Sequence, residues 1–275
     1  MNLILMALAL SLSPGSLRPI AQVLSTSAPL DAGYRQMYNL QFESAHRTFQ
    51  EYERSQPDDP FGPTSDAAAY LFAEFDRLQI LQSELFIDNS RFRSRQTLSP
   101  DPAAKLALYN DLDKSDQLAA AALKRNPRDS NALFAQVMNR GLRADYLALI
   151  EKRNAASLHY VKAAGALAEQ LLAVDSHRYD AYVAVGIENY VLSLNPAPVR
   201  WLLRLYGAET NERKGISDLE LAAQNGHYLL PYARLLLAVA ALREKDTDDA
   251  RALLQELAEE FPNNRLYRRE LSRLN

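Results

Sequence analysis

Apolar residues along most of the chain return every three or four positions, the period of a helix that buries one face. Turn-forming pairs close these stretches at intervals: Pro57-Asp58, Asn126-Pro127, Asp175-Ser176, Asn195-Pro196, Asn225-Gly226, Asp246-Thr247 and Pro262-Asn263. Asp101-Pro102 predicts a capped helix with proline in its first position, and Asp129 or Ser130 opens another. Thr64 and Ser65 are the expected caps of the helix that follows Pro60. Runs of β-branched residues are nearly absent, while Ala, Leu, Glu, Arg and Gln, the better helix formers, dominate. The pattern predicts an all-α chain of about a dozen helices and no strand.

Four segments repeat one set of offsets. A small residue leads each: Ala45, Ser115, Ala164 and Ala250. Four positions on stand Phe49, Ala119, Ala168 and Leu254, and seven on stand Tyr52, Ala122, Leu171 and Leu257. Twelve positions on stand Pro57, Pro127, Ser176 and Pro262. Offsets of four and seven share one helical stripe, so these residues face one neighbour. The small leading residue lets a preceding helix come close, and the proline ends the helix and turns the chain. Each segment therefore reads as the second helix of a helix–turn–helix pair. Such pairs bury their faces only by stacking, so a solenoid is expected, with an irregular helical bundle as the alternative.

The arrangement resembles the tetratricopeptide repeat, which couples a Trp-x2-Leu-Gly first helix to an Ala-x3-Phe second helix ending in Pro. Tyr182-x2-Val185-Gly186 matches the first-helix positions, Phe134-x2-Val137 matches them more loosely, and Leu237-Ala238 keeps the aliphatic-small pair. Gly33 stands at the glycine position upstream of Ala45. The leading residues lie 70, 49 and 86 apart rather than at multiples of about 34, so inserted or lengthened helices are expected, "ERKGISDLELAAQNG" among them. The run from Gly215 to Leu271 is similar to exported bacterial repeat proteins. In the family the first helices line a concave groove. By that resemblance the groove here comprises Tyr34, Tyr38, Asn139, Arg143, Asp180, Tyr190, Tyr232 and Arg243, a mixed polar and aromatic lining suited to an extended peptide or a partner helix.

Composition narrows the partners. The formal charge is −3, and the nearest basic cluster, Arg91, Arg93 and Arg95, falls short of a nucleic-acid footprint. The chain has no cysteine, which removes disulfides, thiolate metal sites and thiol nucleophiles. Leu3 to Leu12 is apolar, long enough for the core of a secretory signal and too short to span a bilayer. Residues 1–27 thus read as a signal peptide or N-terminal segment and residues 28–275 as the repeat domain, exported to the periplasm or cell envelope. If the segment is retained as a buried first helix, the location is cytoplasmic. The stretch Leu229 to Leu242 carries Arg234 and reads as a core helix, leaving no integral membrane segment in the mature chain.

Catalytic patterns are missing from the sequence. No Gly-x-Ser-x-Gly elbow is present, and His46, His159, His177 and His227 form neither His-x3-His nor His-Glu-x2-His. His177 with Asp180 and Glu188 is the one local group that imitates a site, and it reads as the polar first turn of a helix. Trp201, beside Leu202 and Leu205, reads as core packing. No cofactor or metal is expected. The fourteen tyrosines supply amphipathic contact area, at binding surfaces or as core residues with a hydroxyl at the rim. The expected function is a non-enzymatic protein-interaction module. A scaffold or assembly factor acting through outer faces, or a small-molecule sensor, are the alternatives.

Overall fold

The computed structural model of the protein describes residues 28–80, 98–193 and 211–274. The apolar N-terminal stretch, the Arg91–Arg95 cluster and Trp201 lie outside the described residues. Within them the chain forms eleven α-helices and no strand. They are α1 (Ala28–Tyr38), α2 (Phe42–Ser55), α3 (Phe61–Arg77), α4 (Pro102–Arg125), α5 (Ser130–Asp145), α6 (Asn154–Val174), α7 (Tyr182–Ser193), α8 (Glu212–Asn225), α9 (Leu230–Glu244), α10 (Thr247–Glu260) and α11 (Arg265–Arg273). A wide π turn, Tyr146–Ile150, extends α5, and a short 3-10 turn, Tyr179–Ala181, leads into α7.

Each helix packs on the next along the whole series, and α3 also touches α1 and α5. Contact between successive hairpins is the signature of a solenoid, so the expected tetratricopeptide-like architecture holds. The stripe residues explain it. Ala45, Phe49 and Tyr52 on α2 are all buried, as are Ser115, Ala119 and Ala122 on α4, Ala164, Ala168 and Leu171 on α6, and Ala250, Leu254 and Leu257 on α10. Each stripe ends in the same turn. Gln56, Asn126, Asp175 and Phe261 donate their N–H groups to the carbonyls of Tyr52, Ala122, Leu171 and Leu257, at 2.8–2.9 Å. Three residues on, the N–H groups of Asp59, Asp129, Arg178 and Asn264 donate back to the carbonyls of Gln56, Asn126, Asp175 and Phe261 at 3.0–3.2 Å. The proline or serine between them sits where no helical N–H is needed. Asp129 and Asn264 then cap the following helices, accepting from Ala132 and Leu266, as Asp101 does from Ala103 at α4.

Two expectations fail. Residues 212–226 are no insertion. They form α8, the second helix of the α7–α8 hairpin, and Gly215, Leu219 and Ala222 repeat the leading, fourth and seventh positions, all buried. His227 stands where the other second helices have Pro or Ser, which hides the match. Thr64 and Ser65 do not cap α3, which already begins at Phe61, where Asp59 accepts the Phe61 N–H at 2.9 Å. Pro63 in the first turn costs no hydrogen bond. The two hydroxyls instead turn back to the carbonyls of Pro60 and Phe61, and both are fully buried.

The first and last hairpins meet. The Tyr38 hydroxyl donates to the Tyr228 carbonyl at 2.9 Å, and the Asn264 amide donates to the Tyr38 carbonyl at 2.8 Å. Tyr34 packs on Tyr228 with ring centres 4.7 Å apart, Tyr38 on Phe261 at 5.4 Å, and Arg265 pairs with Asp76 at 2.7 Å. The concave side of the array is thereby filled by aromatic rings from both ends of the chain.

Main chains of α7 and α8 approach one another closely. A Cβ added to Gly215 would lie 2.7 Å from the Tyr190 nitrogen and 2.9 Å from the Gly186 carbonyl oxygen, both backbone atoms that cannot give way. Gly215→Ala should therefore destabilise the fold by roughly 1–3 kcal/mol, read as a lower urea midpoint. Gly141→Ala, where an added Cβ meets nothing within 4 Å, should leave that midpoint unchanged or raise it.

Candidate ligand-binding cleft

The eight residues assigned to a groove separate into three groups. Asn139 and Arg143 turn away from the concave side and clip α5 to α4. The Asn139 amide donates to Ser115 and Asp116 at 2.9 and 3.0 Å, and its carbonyl accepts from Thr64. Arg143 donates to Asp113 at 2.7 Å and Asp116 at 3.2 Å. Tyr190 and Arg243, from α7 and α9, are half-buried and hydrogen-bonded to one another. Tyr34, Tyr38, Asp180 and Tyr232 do face the concave side, but all four are buried. Contacts between the first and last hairpins help to bury these side chains.

Asp180 Oδ1 accepts the backbone N–H groups of His227 and Leu229 at 2.8 and 2.9 Å, holding the α8–α9 turn. It is a structural acceptor, while the His177 ring packs edge-on against Tyr179 with ring centres 6.1 Å apart. Glu188 lies elsewhere, over Gly165.

What remains on the axis is a partly open cleft of about 70 Å³, bounded by α1, α3, α5, α6, α7 and α9. Tyr34, Tyr38, Phe72, Gly141, Asp145 and Tyr232 are among the residues that line it. Asp180, Met37, Met138 and aliphatic side chains complete the lining. Empty space of this size is roughly enough for several water molecules or one alkyl chain. Gly141 adds to it by carrying no side chain.

Asp145 is the chemically distinctive member. Its Oδ2 accepts the Tyr232 hydroxyl at 3.1 Å, and among the described residues no cation pairs with it. Asp145 is half-buried and lines the cleft. Burial pushes its pKa up to about 7, and the Tyr232 hydrogen bond pulls the other way without offsetting it.

The chain is similar in structure to a thermophilic TPR protein of Thermus thermophilus. The match covers 91% of this chain and 98% of that one, at 17% identity and a TM-score of 0.46. No protein-family model matches the sequence. No curated protein matches it either. Among the described residues no helix is long and apolar enough to cross a membrane.

A second acidic group lies between α2, α3 and α4. One carboxylate oxygen from each of Glu53, Asp66 and Asp111 falls within 4.8 Å of the others. Two are already partnered: Lys114 donates to Glu53 at 2.5 Å, and His46 and Gln50 hold Asp66. Burial first, and then the charges of Asp66 and Glu53, push Asp111 up to about 7. A proton on Asp111 relieves the crowding. Nothing in the sequence marks this cluster, whose members lie 13 and 45 positions apart.

Both raised carboxyls bind protons more tightly folded than unfolded, so between the unfolded value of 3.8 and about 7 the folded chain holds more protons. Their contribution to stability is complete at low pH and is lost as pH rises through that window, by up to about 1.4 kcal/mol per pH unit for each group. Asp145→Asn should therefore be more stable than the parent at pH 8 and should flatten the pH 5–8 dependence of the urea midpoint.

Proposed function

We propose that the protein is a non-enzymatic interaction module of the bacterial envelope that receives a side chain of a protein partner in the axial cleft of its helical array. The observation that supports this is the cleft itself. Every first helix from α1 to α9 contributes to it, yet the structure leaves it unfilled, with a glycine where a larger residue would fit. A packed core has no use for such a gap, which forfeits contacts on all its walls. Docking through the outer faces finds less support: among the described residues Leu106 is the one large apolar side chain that stands exposed. A small-molecule sensor would use the same cleft and is the second reading. The envelope location rests on the apolar stretch Leu3 to Leu12.

Filling the cleft tests the function. Gly141→Leu should keep the parent's melting temperature and lose the partner that the parent retains in affinity capture, while Glu220→Lys on the exposed face of α8 should keep it. An unchanged partner set with Gly141→Leu would refute the cleft as the binding surface. For location, mass spectrometry of the cellular protein should find a new N-terminus within residues 16–28; an intact Met1 on cytosolic protein would overturn export.

A further inference from the structure

We propose that the group this cleft receives is a primary ammonium on an apolar stem, the chemistry of a lysine side chain, with the ammonium seated on Asp145. This rests on the function proposed for the cleft and adds the identity of the group. Three observations converge on a cation. First, both ionisable acids of the lining, Asp145 and Asp180, are carboxylic, and among the described residues no Lys, Arg or His lines the cleft. Second, Asp180 Oδ1 is tied to the α8–α9 turn by two backbone N–H groups, whereas among the described residues Asp145 accepts from the Tyr232 hydroxyl alone and is free of such a turn. Third, Tyr34, Tyr38, Phe72 and Tyr232 surround the space, and aromatic faces attract ammonium groups.

The shape fits the same chemistry. The apolar lining and the bare Gly141 accommodate a flexible stem of about four carbons, with Asp145 on the same helix as Gly141. A carboxylate-bearing group is disfavoured by the two acids, and a neutral alkyl group would leave Asp145 buried without a charge partner. Arginine is a poorer fit, because its planar fork of five donors would meet a single available carboxylate in an apolar setting.

The test uses the full chain with n-butylammonium, 1-pentanol and pentanoate as free probes, and with blocked pentapeptides carrying Lys or norleucine at the centre. Saturation-transfer NMR and calorimetry read binding. The expected result is that n-butylammonium and the Lys peptide bind, that pentanoate does not, and that norleucine and pentanol bind at least about tenfold more weakly. Asp145→Asn should lose that preference without losing pentanol, and Gly141→Leu should abolish all binding. Circular dichroism confirms that both variants remain folded. Pentanol and norleucine binding as tightly as their amine counterparts, unaffected by Asp145→Asn, would overturn the ammonium assignment and leave the side-chain cleft standing. Binding of n-butylammonium without the Lys peptide would support the chemistry and overturn the protein partner in favour of a free amine. No binding of any probe would overturn both.

Discussion

Close approach of helix backbones at small residues is the constraint on which the array depends. Gly186 and Gly215 bring α7 and α8 to van der Waals contact through main-chain atoms, and Ala45, Ser115, Ala164 and Ala250 play the milder version of the same part in the other hairpins. A larger side chain at these heads would separate the pair and uncover the stripe below it, whose Phe49, Ala119, Ala168 and Leu254 are all essentially fully buried. Because each hairpin rests on its neighbours, the loss would pass along the series.

The stripes were legible because they are local. An offset of four or seven is a property of one helix, and every residue singled out by it is buried. The turns were legible for the same reason, with Pro57, Pro127 and Pro262 stopping helices where their missing N–H is harmless. α8 escaped because glycine replaces alanine at its head and histidine replaces proline at its end, although its packing is of the same kind. Which of the groove residues stay exposed is something no window can show. Whether a concave face stays open depends on the rotation accumulated over five hairpins, and the contacts that close it join residues 190 to 226 positions apart. Asp145 was invisible for a related reason: its partner Tyr232 lies 87 residues away, so it reads as an ordinary polar helix end.

The interior polar groups divide by how completely they are used. Asn139, Thr64 and Ser115 satisfy one another, and Asp180 accepts two main-chain donors through Oδ1, so these groups fix the relative placement of α3, α4, α5 and the α8–α9 turn. Asp145 is used less fully, accepting one hydroxyl. A carboxyl kept half-employed beside an unfilled space is costly, and the same arrangement gives a site its selectivity. Its chemical surroundings are rings and methyl groups rather than counter-ions, which makes the incoming group the natural source of the opposite charge.

The handshake of Tyr38 with Tyr228 and Asn264 has a mechanical meaning. An open superhelix stretches like a spring, since pulling its tips apart only unwinds it a little at each joint. Here tension applied across α1 and α11 falls first on a small set of hydrogen bonds and stacked rings loaded together, so the coil should behave as a latched bracelet, stiff until the clasp yields. Duplicating a hairpin, the ordinary way such coils grow, would push the clasp out of register, which fixes the number of turns this chain can carry.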